Sequence, residues 1–225
     1  ESVPGFEAAP EPVFLSVPGT WNANLFQDST YPPDGYATYR LTIQLDEQLV
    51  GQTLALLVPH QRTSYRIWIN GQHEISSGVV GTNKESSSPW YRTEIIHFSV
   101  EEPRLEIVAH IANFFHREGG MINSLILGTP PQVMGHLARQ LAADMLFAGA
   151  LAMVAIQQVV FFLLGRRHPS LLYLGVFCLL MVVRILLTGS RPVQWIAPNL
   201  DWEVLLKAEY LTAYLGLVTA SSFMR

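Results

Sequence analysis

The sequence has a single cysteine and few charged residues. Cys178 is the only thiol among 225 residues, so no disulfide can form within the chain. It stands inside an apolar run, where a free cysteine acts as a small packing residue. Residues 1–140 carry 14 acidic and 8 basic side chains, a net charge of −6, without a basic cluster. Phosphate binding needs clustered lysine and arginine, so nucleic acid is not expected as a partner.

Catalytic and metal-binding motifs are also missing. The sequence contains no G-x-S-x-G, no P-loop and no C-x-x-C, and its carboxylates are scattered rather than paired. The segment 116–120 reads His-Arg-Glu-Gly-Gly, but no second histidine follows four residues after His116, which argues against a zinc peptidase. We therefore expect this part of the protein not to be an enzyme, and to carry no metal and no cofactor.

Three long apolar runs lie towards the end of the chain, at about residues 141–164, 170–188 and 203–224. Each is close to the ~20 residues that a helix needs to cross the hydrocarbon core of a bilayer. We predict a transmembrane helical domain over 133–225 that holds these three helices. The chain starts at Glu1 and ends beside the third run, so a processed or truncated start and a truncated helical bundle are expected.

The first part of the chain, residues 1–132, has the patterns of an all-β domain. Residues 36–45 alternate apolar and polar side chains, which is the period of a half-buried strand. The hairpin signal Asn70-Gly71 follows a second alternating segment, since both residues tolerate a positive φ. Short strands with turns every ~8–12 residues indicate an antiparallel sandwich or jelly roll. The predicted strands are 36–45, 53–58, 65–69, 93–100, 104–112 and 124–127.

Ionisable residues in the apolar runs predict a polar contact between two helices. Arg184 lies near the end of the second run, and Glu203, Lys207 and Glu209 lie in the first turns of the third. A charge at membrane depth is costly unless it is paired or reaches the headgroups. We expect Arg184 to pair with Glu209 or Glu203, and Glu203 to support Lys207 at the i,i+4 spacing. The alternative is that each side chain simply reaches the headgroups.

The composition of the loops predicts how the helices are oriented. Arg166 and Arg167 lie in the short loop 165–169, and a basic short loop is expected on the cytoplasmic side. Trp195 and Trp202 flank the next connection and fit an aromatic belt at the opposite interface. The β domain is therefore predicted on the outer side of the membrane.

Two groups of segments carry a family resemblance. VPGTWN (17–22), GYATYRLTIQL (35–45), YRIWINGQ (65–72) and RLEIVAHIANFFHREGGM (104–121) resemble galactose-binding-like jelly rolls, such as the amino-terminal domain of glycoside hydrolase family 2 enzymes. LLYLGVFCLLMVVRILLTG and PNLDWEVLLKAEYLTAYLG resemble the bacterial seven-transmembrane receptors with diverse intracellular signalling modules. In those receptors a jelly roll precedes seven helices and a cytoplasmic output domain, such as a kinase, cyclase or phosphatase. This chain shows three predicted spans and no output domain.

The resemblance to jelly-roll sugar binders implies aromatic side chains that stack on a ligand and polar side chains that bind its hydroxyls. For Trp21 a plug under the sandwich is the alternative, and for the segment 116–120 a structural turn. Either face of the strand 65–69 could be the core. The candidate ligand-binding residues are Trp21, Arg66, Trp68, Trp90, Tyr91, Arg92, Asn113, His116 and Arg117.

The patterns, together with the family resemblance, imply two possible functions. In the first, the chain is the sensory part of a receptor in the bacterial inner membrane. Its periplasmic jelly roll binds a small molecule or carbohydrate, and its helices pass the event to a missing cytoplasmic signalling domain, with a homodimer suggested by the resemblance. In the second, the chain is an accessory membrane subunit whose β domain docks another protein.

Overall fold

The computed structural model describes residues 13–23, 25–26, 29–165 and 168–224. Short 3-10 helices occupy Trp21–Ala23 and Glu47–Leu49. Within the described residues, the helices are α1 (Pro130–Leu163), α2 (Pro169–Leu187), α3 (Val193–Ile196) and α4 (Trp202–Phe223). The strands are β1 (Leu25–Phe26), β2 (Ser29–Thr30), β3 (Gly35–Gln44), β4 (Thr53–Val58), β5 (Ser64–Ile69), β6 (His73–Ser77), β7 (Glu94–Ser99), β8 (Arg104–Asn113) and β9 (Ile126–Gly128).

The chain forms two compact units. The first holds residues up to Gln52 together with Leu57–Ile126, and the second holds Thr53–Leu56 together with Leu127–Arg225. The helices α1 to α4 therefore share a unit with a short piece of β structure. The fold is thus two antiparallel sheets and a smaller strand pair, followed by helices.

The larger sheet has four antiparallel strands in the order β3-β8-β5-β6. β8 pairs with β3 over ten residues, from Gly35↔Asn113 to Gln44↔Arg104. On its other side β8 pairs with β5, from Ser64↔Ala112 to Ile69↔Ile107. A second sheet has the order β7-β4-β9, and β1 pairs with β2.

One face of the four-stranded sheet forms the core of the first unit. Tyr65, Ile67 and Ile69 of β5 are fully buried, and Ile107 and Ile111 of β8 lie on the same face and are also buried. Side chains alternate along a strand, so Arg66 and Trp68 project to the opposite face. The structure thereby decides which face of this strand is the core, a question that alternation alone left open.

The hairpin between β5 and β6 is confirmed at the predicted turn. Asn70 has a φ of 49° and Gly71 a φ of 70°, the left-handed conformation that these two residue types tolerate best. The register pairs Ile69 with His73. β6 itself was not predicted, because the sequence HEISS is short and mostly polar.

The strand pattern also overstates how much of β3 is buried. β3 is an edge strand of its sheet, and Leu41 on its apolar side is 47% exposed. The last predicted strand, at 124–127, is shifted, since β9 runs from Ile126 to Gly128.

α1 begins earlier than predicted. It starts at Pro130, after a capping box in which the backbone N–H of Thr129 donates to Gln132 Oε1 at 3.0 Å. Pro130 and Pro131 occupy the first turn, where a missing N–H costs nothing. The apolar run from about residue 141 therefore marks the lipid-compatible part of α1 rather than its start.

Among the described residues, α1 and α2 are long and apolar enough to cross a membrane. The third predicted span is a helix of 22 residues, α4, but it does not meet the same criterion, because Glu203, Lys207 and Glu209 interrupt its apolar sequence. The count of three spans from a bundle of seven is therefore not confirmed. Arg166 and Arg167 lie outside the described residues, as do residues 1–12 and Arg225, so the cytoplasmic position of the loop 165–169 stays a prediction.

α2 packs against both α1 and α4. A Cβ atom on Gly175 of α2 would lie 3.3 Å from Gln158 Cβ of α1, and a Cβ on Gly216 of α4 would lie 2.7 Å from Met181 Cε of α2. Glycine at these two positions permits the close approach of neighbouring helices.

Candidate functional site

The side of the four-stranded sheet that faces away from the core carries aromatic and charged side chains. The strand registers place Thr38, His110, Arg66 and Ser76 in one row across the sheet. The next row holds Arg40, Val108, Trp68 and Glu74. We name this surface the outer face and define it by Arg40, Arg66, Trp68, Glu74, Glu106 and His110.

Trp68 lies at the centre of the outer face and is half-buried. Its ring meets the His110 ring edge-on, with 4.6 Å between centroids. The Arg66 guanidinium lies 5.8 Å from the Trp68 ring centroid, and Arg66 Nε lies 3.0 Å from Glu74 Oε1. An indole ring beside an arginine and a carboxylate can stack on an apolar ring face while its neighbours bind hydroxyl groups.

The charges of the outer face are balanced in pairs. Arg40 Nε of β3 lies 2.7 Å from Glu106 Oε1 of β8, and Arg66 of β5 pairs with Glu74 of β6. The backbone N–H of Glu106 donates to Asn70 Oδ1 at 2.8 Å, which links β8 to the β5–β6 hairpin. A surface with paired charges favours a neutral, hydroxyl-rich ligand over a strongly charged one.

His110 packs edge-on against Trp68 and is buried. Burial, and to a smaller extent the Arg66 guanidinium, lowers the pKa of His110 below its ordinary value. The neutral imidazole is therefore the form that packs against the indole ring at neutral pH. His110 was not singled out by the sequence analysis.

Trp21 is a packing residue of the first unit. It is buried, and its indole Nε1 donates to the Pro32 carbonyl at 3.0 Å. A Cβ atom on Gly119 would lie 2.3 Å from Trp21 Cζ2, so the ring lies directly on the backbone of this glycine. The structure therefore places Trp21 in the interior of the first unit rather than on an exposed surface.

Asn113 and His116 form a closed hydrogen-bonded turn. The Asn113 side chain is fully buried and donates to the carbonyls of Pro33 at 2.9 Å and His116 at 2.7 Å. Its Oδ1 accepts from the backbone N–H of His116 at 3.0 Å. The backbone N–H of Glu118 donates to His116 Nδ1 at 3.1 Å, and burial lowers the pKa of His116. The Asn113 and His116 side chains are buried and make hydrogen bonds within the protein, so they are not exposed to a ligand.

The segment 90–92 is likewise divided between core and surface. Tyr91 is buried, with its ring centroid 5.2 Å from that of His60. Trp90 is half-buried, and its carbonyl accepts from Ser77 Oγ at 3.1 Å. Arg92 is exposed and paired with Glu94. Only Trp90 and Arg92 of this segment are accessible to a ligand.

Arg117 is exposed beside the closed turn. Its Nη2 lies 3.4 Å from Glu118 Oε1, and Glu118 also pairs with Arg62. Within the part of the chain that the structure describes, no group of three or more His, Cys, Asp or Glu side chains is arranged to hold a metal ion.

A second polar cluster joins the ends of the helices in the second unit. Arg184 of α2 donates from Nη1 to the backbone carbonyl of Glu209 in α4 at 2.9 Å. The Glu209 carboxylate instead lies 3.0 Å from Nη2 of Arg191, in the turn after α2. The predicted side-chain pair between Arg184 and Glu209 is therefore corrected: α2 contacts the Glu209 main chain, and Arg191 binds its carboxylate.

The same turn is bound to α1. Asp144 Oδ2 accepts from the backbone N–H of Ser190 at 3.2 Å and also from the Ser190 hydroxyl. Asp144 lies in the middle of α1, far from either end of that helix. Gly189 has a φ of 62° and Arg191 a φ of 49°, which bends the chain back towards α1 and α4. We name Gly189, Ser190 and Arg191 the clasp.

Glu203 forms the expected pair within α4. Lys207 Nζ lies 2.7 Å from Glu203 Oε1 at the i,i+4 spacing, and both side chains are largely exposed. Asp201 caps the helix by accepting from the backbone N–H of Glu203 at 2.7 Å.

Residues 140–225, which include the clasp and its partners, match the family model described as 7TM diverse intracellular signalling. Over these residues the chain is similar to that family. The match begins within α1 and covers most of the part that the sequence assigned to the membrane.

Solved structures similar to this chain include glycosidases of family GH2. A GH2 beta-galacturonidase from Eisenbergiella tayi is 14% identical with a TM-score of 0.40, over 56% of this chain and 22% of the enzyme. A beta-glucuronidase from Bacteroides uniformis is 17% identical with a TM-score of 0.38, over 51% of this chain and 14% of the enzyme. No curated protein matches the sequence. The chain spans less than a quarter of these enzymes, and nothing about its function rests on them.

Within residues 140–225, the clasp was missed in the sequence analysis. Arg191, whose side chain is 4% exposed, was not singled out there. The available signal was the sequence Thr-Gly-Ser-Arg-Pro directly after an apolar helix, which brings a cation into a turn between two helices.

Proposed function

We propose that this chain is the sensory part of a bacterial membrane receptor for signal transduction. In this proposal the β unit is a jelly-roll sensor in the periplasm, and the helices lie in the inner membrane with the loop 165–169 in the cytoplasm. A small ligand, with carbohydrates as the first class to test, binds the β unit. A cytoplasmic output domain and a homodimer belong to the same proposal by resemblance.

One observation carries this proposal. A β unit with an aromatic and polar outer face precedes a segment of a membrane signalling family on the same chain. A β unit with a ligand surface fits the role of sensor in such a chain, because a receptor needs a ligand-binding domain on the side of the membrane where its ligand is found.

The outer face is the best-supported ligand surface among the candidates. Trp68 and Arg66 lie together on it, whereas Trp21, Asn113 and His116 are taken up by internal contacts. Trp90, Arg92 and Arg117 are the remaining accessible candidates, and they belong to other segments. Loss of a stacked tryptophan removes roughly 1–2 kcal/mol of binding free energy beyond the neighbouring contacts, or about tenfold in affinity.

Signalling also requires that the ligand favour one arrangement of the protein over another, because a ligand with equal affinity for both shifts nothing. Arg184, Glu209, Glu203 and Lys207 were predicted to couple the helices. We retain that role for Arg184 and Glu209 and add Arg191, since these three side chains join α2, α4 and the clasp. Arg184→Leu is expected to uncouple ligand from output while leaving expression intact.

The test of ligand binding uses the whole chain in nanodiscs, because Thr53–Leu56 of β4 belong to the same unit as the helices. A glycan and small-metabolite array against this preparation should give selective binding. Trp68→Ala should weaken that binding about tenfold. Trp195→Ala is the matched control, since Trp195 is an exposed tryptophan of α3 and should leave the affinity unchanged.

Two results would contradict the proposal. Equal binding by Trp68→Ala and the unchanged chain would move the site away from the outer face. Silence of the whole array, together with stable capture of one defined protein, would favour the accessory-subunit function, in which the β unit is a docking module.

A further inference from the structure

α1 is much longer than a membrane span. Its 34 residues correspond to a length of ~51 Å at ~1.5 Å per residue, against a hydrocarbon core of ~30 Å. The apolar run begins near residue 141, so the surplus lies at the amino-terminal end. We name Pro130–Gln140 the extension; it follows β9 with only Thr129 between them.

A single stripe of buried side chains runs along the whole of α1. Val133 and Leu137 are buried in the extension, and Ala148 and Ala155 are buried in the apolar part. Half-buried residues fill the positions between and beyond them at steps of three or four, the spacing of one helix face. The stripe consists of Val133, Leu137, Leu141, Asp144, Ala148, Leu151, Ala155, Gln158 and Phe162.

The opposite side of α1 is exposed along its apolar part. Leu146, Met153, Ile156 and Leu163 are each more than half exposed and lie about a quarter to a half turn away from the stripe. The rotational setting of the extension and that of the apolar part are therefore the same. A helix with one continuous buried stripe cannot rotate about its axis at one end without disturbing the packing of buried side chains at the other.

The stripe is held firmly at its two ends. The capping box of Thr129 and Gln132 fixes the first turn, and the helix has no proline after Pro131 at which it could kink. In the apolar part, Gln158 lies against Gly175 of α2, and Asp144 of the stripe binds Ser190 of the clasp.

We propose that α1 is a rigid transmitter whose rotational phase is fixed by this stripe, so that a movement at the strand-linked end reaches α2 and the clasp. The importance of this movement for sensing rests on the proposed function, but the rigidity itself does not. The inference concerns the mechanical link alone and is tested without any ligand.

Insertions in the extension test the phase directly. Two alanines placed between Gln140 and Leu141 rotate the two parts of α1 by about 200° relative to each other. Seven alanines at the same place rotate them by only ~20°, although they lengthen the helix more. The seven-residue variant is therefore the matched control for insertion as such.

Two thiol measurements report the two ends, both with Cys178→Ala in the whole chain in nanodiscs. The first is disulfide formation between Gln158→Cys and Gly175→Cys. A Cβ on Gly175 lies 3.3 Å from Gln158 Cβ, close to the separation of ~3.5–4.5 Å in disulfides. The second is maleimide labelling of Leu137→Cys, because the Leu137 side chain is only 7% exposed. The neighbouring Ala138 is exposed, so Ala138→Cys is the labelling control.

We expect the two-residue insertion to abolish the disulfide or to raise the labelling rate of Leu137→Cys about tenfold, towards that of Ala138→Cys. The seven-residue insertion should leave both readouts near those of the uninserted chain. The proposal is overturned if two alanines change neither readout, because a flexible joint would then absorb the rotation. It is equally overturned if seven alanines disturb the readouts as much as two. Failure to find a ligand for the outer face would affect neither measurement.

Discussion

Glu209 and Arg191 form an ion pair whose two members are unequally shielded from water. The Arg191 side chain is 4% exposed, whereas that of Glu209 is 27% exposed. Glu209→Gln removes the carboxylate from a guanidinium that water hardly reaches. Arg191→Gln removes the cation from a carboxylate that can still be partly hydrated. The free-energy cost of the two substitutions should therefore differ, with Glu209→Gln the more damaging.

The expected magnitudes follow from this difference in burial. Removing one partner of a buried pair costs about 3–5 kcal/mol when the remaining charge stays buried, so we expect the free energy of unfolding to fall by that amount for Glu209→Gln. For Arg191→Gln we expect about 1–3 kcal/mol, the cost of lost hydrogen bonds. The double substitution should be less damaging than Glu209→Gln alone, because no buried guanidinium then remains.

The assay is unfolding of the helical unit in mixed micelles by increasing SDS, followed by the circular dichroism of the helices. Lys207→Gln is the control in the same helix, since its partner Glu203 and Lys207 itself are 63% and 74% exposed. An exposed i,i+4 pair is worth less than ~0.5 kcal/mol. Equal losses for Glu209→Gln and Lys207→Gln, or a larger loss for Arg191→Gln than for Glu209→Gln, would refute the reasoning.

Three further predictions concern the β unit. Asn113→Ala removes the side-chain bonds that close its turn and should lower the free energy of unfolding in urea by ~3 kcal/mol without ligand; unchanged stability would return Asn113 to the binding candidates. Gly119→Ala forces a Cβ into the Trp21 ring and should cost about 1–3 kcal/mol, with altered tryptophan fluorescence; a neutral result would contradict this packing. The pKa of His110 lies below 6.5 in the folded protein, so the unfolded chain binds protons first and stability should fall as pH drops through about 6.5. In an NMR titration, Arg66→Gln should return the pKa of His110 only part of the way to 6.5, because burial is the larger cause of its lowering.

The strands could be predicted because their signal is local. Side chains alternate along 36–45 and 65–69, and β3 and β5 lie there. The turn at Asn70-Gly71 depends only on the φ angles that these two residues tolerate. β6 escaped prediction because a short polar strand acquires its conformation from pairing with β5, which no local pattern records.

The ligand candidates show that residue type alone does not separate a ligand-binding side chain from a buried packing residue. Trp21 and Trp68 are both tryptophans near turn or strand ends, yet Trp21 lies on the Gly119 backbone and Trp68 is on the outer face. Asn113 has the side chain of a sugar-binding residue, but it closes a turn. Burial depends on the segments that fold over a side chain, and these come from distant parts of the chain.

The amino-acid order alone determined the apolar runs, the alternating strands and the tight turn, because each arises from neighbours within a few residues. Tertiary structure decided that Arg184 binds the main chain of Glu209 while Arg191 takes its carboxylate. It also decided that Asp144 binds Ser190, 46 residues further along the chain. An ionised group binds whichever partner the packing of the helices brings within ~3 Å, and sequence separation does not encode that distance.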